Sequence, residues 1–143
     1  MTNIKIFTDG GARGNPGPAA SAFVVFDSTD KEIYKSSKFI GLTTNNVAEY
    51  KALLMALDWL KFFQNLKDLN LINFYLDSEL VVKQLTGIYK IKSPDLIPLT
   101  LNIKEQEKLI NKKIIYQHIP RGQNKLADKL VNLALDKELS SHK

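Results

Sequence analysis

The chain has 143 residues, 44% apolar and 24% charged, the balance of a soluble globular protein with a single sizeable core. Cysteine is absent, which excludes disulfides, thiolate metal sites and cysteine nucleophiles, and no apolar run is long enough to span a bilayer. The net charge of +5 suits either a polyanionic partner or a plainly solvated lysine surface, since every basic residue except Arg13 and Arg121 is lysine.

Residues 3–8 read as a strand that ends at Asp9 and dissolves into the Gly/Pro stretch of "FTDGGARGNPGPA". "SAFVVF" at 21–26 reads as a second strand, "STDK" as a turn, and "EIYKSSKFIG" from Glu32 as a third strand. "TNNVAEYKALLMALDWLKFF" from Thr44 is the clearest helix, with Asn45 or Asn46 as its cap. A fourth strand follows at 71–77, then a short helix over 78–85 that Gly87 ends. The segment from Ser93 turns helical beyond Pro98, "KKIIYQHI" at 112–119 is the last strand, and a final helix starts at Asn124. The order β-β-β-α-β-α-α-β-α predicts an α/β fold, a mixed sheet flanked by helices. One domain over 1–143 is expected, with a frayed tail at 137–143. No signal peptide is visible, because Lys5 interrupts the first apolar stretch, so a cytoplasmic protein is expected.

Three carboxylates stand in unusual places. Asp9 and Asp77 each end a strand, and each has a local explanation: a turn before Gly10 for one, the cap of the helix at Ser78 for the other. Were those strands parallel neighbours, both carboxylates would share the carboxyl edge where open α/β sheets place ligands. Glu49 heads a helical stripe with Leu53, Ala56, Leu60 and Phe63, whereas Asp58 falls on the opposite side. A carboxylate on a core-facing stripe either binds a cation or bends out to water at the helix start. Three converging carboxylates without cysteine point to a hard cation, Mg²⁺ or Mn²⁺. "GGARGNPG" lacks the ending of a phosphate-binding loop and does not match GxGxxG. His118 reads as a structural residue of an apolar strand, His142 as part of the tail, and Trp59 as core.

The stretches "FTDGGARGNPGPA", "TTNNVAEYKALLMAL", "FYLDSELVVKQL" and "IPRGQNKLADKL" occur in this order from residue 4 to about 136, and together they resemble ribonuclease H type 1, particularly its compact archaeal-type branch. The resemblance implies the ribonuclease H fold, a five-stranded mixed β-sheet flanked by α-helices, with strands one and four as central parallel neighbours. It implies four acidic ligands, Asp9, Glu49, Asp77 and Asp128, holding two Mg²⁺ or Mn²⁺ ions with Asp9 bridging both. It implies cleavage of the RNA strand of an RNA–DNA hybrid, leaving 5′-phosphate and 3′-hydroxyl ends. Asp128 rests on the motif alone, because it lies off the Leu126, Leu130, Leu133 stripe. Gly10, Asn15, Thr44, Asn45, Glu79 and Arg121 fall at positions matched to substrate binding. Asn15, Asn45 and Thr44 have local alternatives as turn or cap residues.

Departures from the family pattern lie around the site. The loop before the last helix reads "PRGQN", with Arg121 and no histidine, and Glu79 stands where Gln or Asn is frequent. The basic handle of longer members is missing, and no hybrid-binding domain is expected ahead of Met1. Lys90 and Lys92 are candidates for weak, salt-sensitive contact. A monomer is expected; a broader ribonuclease that also cuts double-stranded RNA, a non-catalytic nucleic-acid-binding module, and a transposase- or integrase-like relative are the competing readings.

Overall fold

The computed structural model describes residues 2–141. Strands β1 (Asn3–Ala12), β2 (Gly17–Asp27), β3 (Glu32–Thr43), β4 (Leu71–Leu76) and β5 (Lys113–His118) form one sheet in the order β3-β2-β1-β4-β5. β1 runs antiparallel to β2 and parallel to β4, and β4 parallel to β5. Helix α1 (Asn45–Lys61) follows β3, α2 (Glu79–Leu85) follows β4, α3 (Ile97–Ile110) precedes β5, and α4 (Lys125–Ser140) closes the chain. The expected element order and the mixed sheet are both present.

The two faces of the sheet have different cover. Ile4, Ile6, Phe23, Val25, Ile72, Phe74 and Leu76 form one core with Leu53, Leu57 and Leu60 of α1 and Ile103 of α3. Each large aliphatic side chain removed from water there contributes roughly 1.5–3 kcal/mol. The opposite core is small: Ala20 and Ala22 of β2 against Val131 and Leu135 of α4.

β1 does not end at Asp9. It continues through Gly10, Gly11 and Ala12, paired with Ser21, Ala20 and Ala19, because β2 begins at Gly17 and outlasts β4 as a partner. The turn is Arg13–Pro16, closed by the Arg13 N–H donating to Pro18 O at 2.8 Å, with Gly14 at φ +96°. Thr44 caps α1, its hydroxyl accepting from the Val47 N–H, in place of Asn45 or Asn46. Ser78 caps α2, so the cap role considered for Asp77 falls away. Residues 137–140 of the expected frayed tail are helical, since the backbone bonds of α4 continue until Ser141 N–H meets Lys137 O at 3.2 Å. His142 lies outside the described residues. The inward face of α4 is Ala127, Val131 and Leu135; the phase expected from Leu126, Leu130 and Leu133 is rotated, and Leu133 is exposed.

Candidate active site

Parallel pairing of β1 and β4 runs in register to Phe7↔Tyr75. Asp9 and Asp77 both lie two residues past that last pair, side by side at the carboxyl edge. Alternation puts them on the face of Phe7 and Tyr75, whose rings stack at 4.8 Å. That face looks toward α4, with Phe7 meeting Leu126 and Ala127 across a small cavity. Glu49 arrives from the other side, on α1, and reaches the same edge.

Gly10 makes this meeting possible. A Cβ there would lie 2.2 Å from the Ala48 carbonyl carbon and 2.5 Å from the Glu49 nitrogen. Without one, the backbone of α1 rests directly on β1. Ser21, paired with Gly10 across the ladder, locks the approach by donating its hydroxyl to Ala48 O at 2.7 Å.

The outcome is a cluster in which carboxylate oxygens of Asp9, Glu49 and Asp77 all lie within 4.8 Å of one another. Asp9 and Glu49 are each only 6% exposed. Burial, then the Asp77 and Asp128 charges, push the Asp9 carboxyl up to about 7, against hydrogen bonds from Glu49 and the Gly10 N–H. Burial and then the Asp9 and Asp77 charges push Glu49 well above the ordinary carboxylate range. Both carboxyls of the pair are thus pushed up, so the cluster retains protons that ordinary carboxylates would have lost. Glu49 Oε2 is buried with no hydrogen-bond partner among the described residues. An all-oxygen set of mutually repelling carboxylates, one oxygen orphaned, fits a divalent hard cation.

Asp128 is not within the triad but lines the same cleft, of about 340 Å³, and its charge acts on Asp9. It adjoins the inward Ala127–Val131 face of α4, so the correct helical phase would have found it from sequence. Arg121 and Arg13 line this cleft too. Arg13 ties the β1–β2 turn to α4 through Asp136 at 2.7 Å and Asn132 at 3.3 Å.

Asn15 and Asn45 are brought together. Asn15 Oδ1 accepts the Asn45 N–H at 2.9 Å, and Asn45 Oδ1 accepts the Ala12 N–H at 2.8 Å. Both amide oxygens are therefore committed inward, and among the described residues neither NH₂ group donates to a partner. Glu79 stands outside the cluster, exposed and ion-paired to Lys83 at 2.5 Å. That bond first, and the nearby His118 charge last, lower its carboxyl. His118 is a correction: it is the exposed last residue of β5, beside Leu76, because the edge strand leaves its final two side chains in water. Lys90 and Lys92 are exposed in the loop after α2. No helix among the described residues is long and apolar enough to cross a membrane.

The chain that carries this edge-mounted acidic site matches a family model described as reverse transcriptase-like over residues 7–134. An RNase H1 isolated from compost by metagenomics, LC11, superposes with a TM-score of 0.92 at 46% identity, covering 97% of this chain and 99% of that one. It has also been crystallised in complex with an RNA/DNA hybrid. The chain belongs to the ribonuclease H type 1 family. A ribonuclease HI of Halobacterium salinarum is 38% identical over 93% of this chain and 64% of its own length. A bifunctional protein of Mycobacterium tuberculosis is 39% identical over 93% of this chain. The chain spans only 35% of that relative's length.

Proposed function

We propose that the chain is a metal-dependent endonuclease that hydrolyses the RNA strand of RNA–DNA hybrids, leaving 5′-phosphate and 3′-hydroxyl ends. The observation that carries this reading is the convergence of Asp9, Glu49 and Asp77 oxygens within 4.8 Å at one sheet edge. Two divalent cations, Mg²⁺ or Mn²⁺, held there would supply charge neutralisation at the scissile phosphate and a water ionised at neutral pH.

The remaining work falls to the chain's own residues. Asp9 and Glu49, both buried, and the half-buried Asp77 form the ligand set, and Asp128 completes it from α4 across the cleft. Ligating carboxylates must be ionised, and both Asp9 and Glu49 are pushed up, so cation affinity rises with pH. The inward-turned oxygens of Asn15 and Asn45 present two NH₂ donors for the minor-groove edge of the hybrid, where 2′-hydroxyls identify the RNA strand. Gly10 admits α1 to the site and so sets Glu49 beside Asp9, while Arg121 places a fixed cation in the cleft for a phosphate. Thr44 stands at the head of α1, where its hydroxyl remains a donor for the DNA strand while it accepts from Val47. Lys83 neutralises Glu79, which blunts its repulsion of the RNA backbone.

The test is cleavage of one labelled RNA strand paired with DNA, paired with RNA, and alone, in Mg²⁺, Mn²⁺ and EDTA. The reading predicts metal-dependent cutting of the hybrid and none of single-stranded RNA. Cutting of the RNA duplex as well would widen the substrate class. A folded protein that cuts nothing with either metal contradicts it and favours a binding module.

A further inference from the structure

Asn124 opens α4 and is 1% exposed. An asparagine there ordinarily accepts a bond from the N–H groups of its own first turn. This one makes no such bond. Its Nδ2 instead donates to Thr8 O at 2.8 Å and to Asp77 Oδ2 at 3.1 Å. Thr8 O is a pure acceptor, so the amide must present its NH₂ to the strands, and Oδ1 is left buried without a partner among the described residues.

The arrangement is costly. It leaves a buried amide oxygen without a protein partner and forgoes a helix cap. What the fold gains is a single nitrogen bridging the β1 backbone one residue before Asp9 and the side chain of Asp77. That nitrogen joins β1, β4 and α4 at the point where the carboxylates meet, and the bond to Oδ2 fixes the rotation of the Asp77 carboxylate.

We propose that Asn124 is a positioning residue of the carboxylate centre, holding Asp77 in the orientation in which it serves a cation. This rests on the metal-dependent reading above. Outer partners that orient ligating carboxylates act on metal affinity.

Asn124→Ser separates positioning from structure. Serine is a good helix cap, but its hydroxyl is too short to span Thr8 O and Asp77. The probe is Mn²⁺ alone, titrated calorimetrically without nucleic acid, with melting curves measured in parallel. Asn124→Ser should stay folded with Tm near that of the parent and bind Mn²⁺ about ten- to a hundredfold more weakly. Asn124→Ala should show the same loss of affinity with a lower Tm. In both, the Mg²⁺ concentration for half-maximal cleavage should rise more than kcat falls. Mn²⁺ affinity unchanged in either folded variant, while the parent binds, overturns the role of Asn124 and leaves the metal centre standing. A parent that takes up no Mn²⁺ overturns both.

Discussion

The two faces of the sheet bring carboxylates to the same edge by different means. On the α1 side, Glu49 rides on a helix seated in a broad apolar core and pressed onto Gly10. On the α4 side, Asp128 rides on a helix whose core is Ala20, Ala22, Val131 and Leu135, supplemented by polar ties from Asn124 and Arg13. Bulk packing is stiff and leaves little latitude, which suits a buried carboxylate that must meet Asp9 closely. A thin core yields more readily, which suits a carboxylate that stands apart from the triad. The cluster thus joins a thickly packed half to a thinly packed one.

The largest effect on activity should come from Gly10→Ala. The added Cβ meets α1 backbone, which has no side chain to swing away, and α1 must lift off β1. A loss of about 3 kcal/mol or more is expected, with loss of cleavage, measured by denaturant melts and hybrid turnover. Truncating one leucine on each face sharpens the contrast. Leu53→Ala, 0% exposed in the broad core, should cost about 4–5 kcal/mol; Leu135→Ala, on the thin face, about 2–3 kcal/mol. Equal losses in urea melts would break the contrast between faces.

A smaller effect is expected from pH. The folded Asp9 pKa is raised to about 7 from 3.8. The folded chain therefore holds more protons than the unfolded one between those values, and the contribution is lost as pH rises through the folded pKa. In EDTA, Tm should fall between about pH 4 and pH 7, by several degrees, with a ceiling of about 4 kcal/mol from this group. Mg²⁺ at pH 8 should restore it. A Tm in EDTA that rises over that window contradicts the buried-acid account.

Much of this site was legible in the sequence because hydrophobic period and carboxylate placement conflict. Glu49 sits on the stripe of Leu53, Ala56 and Leu60, and the structure buries it there. Asp9 and Asp77 needed a parallel pairing that no local pattern encodes, and the family motif supplied it. The strand end at Asp9 was misjudged because glycine normally signals a turn, whereas Gly10 here stays in the ladder to admit α1. His118 was misjudged because an apolar run does not say which strand is an edge. Asp128 was obscured by the leucines of α4, since the small Ala127 marks the true inward face. Asn124 had no sequence signal: its role depends on where its amide points, and a cap asparagine looks the same whichever way it turns.

The most direct test of the carboxylate centre is Asp9→Asn, assayed for hybrid cleavage and for Mn²⁺ uptake beside the parent. The substitution removes charge from the buried pair while keeping shape. The account predicts a folded protein at least as stable as the parent in EDTA at pH 8, with cleavage abolished and Mn²⁺ binding severely weakened. Near-parental cleavage by the folded variant would contradict it.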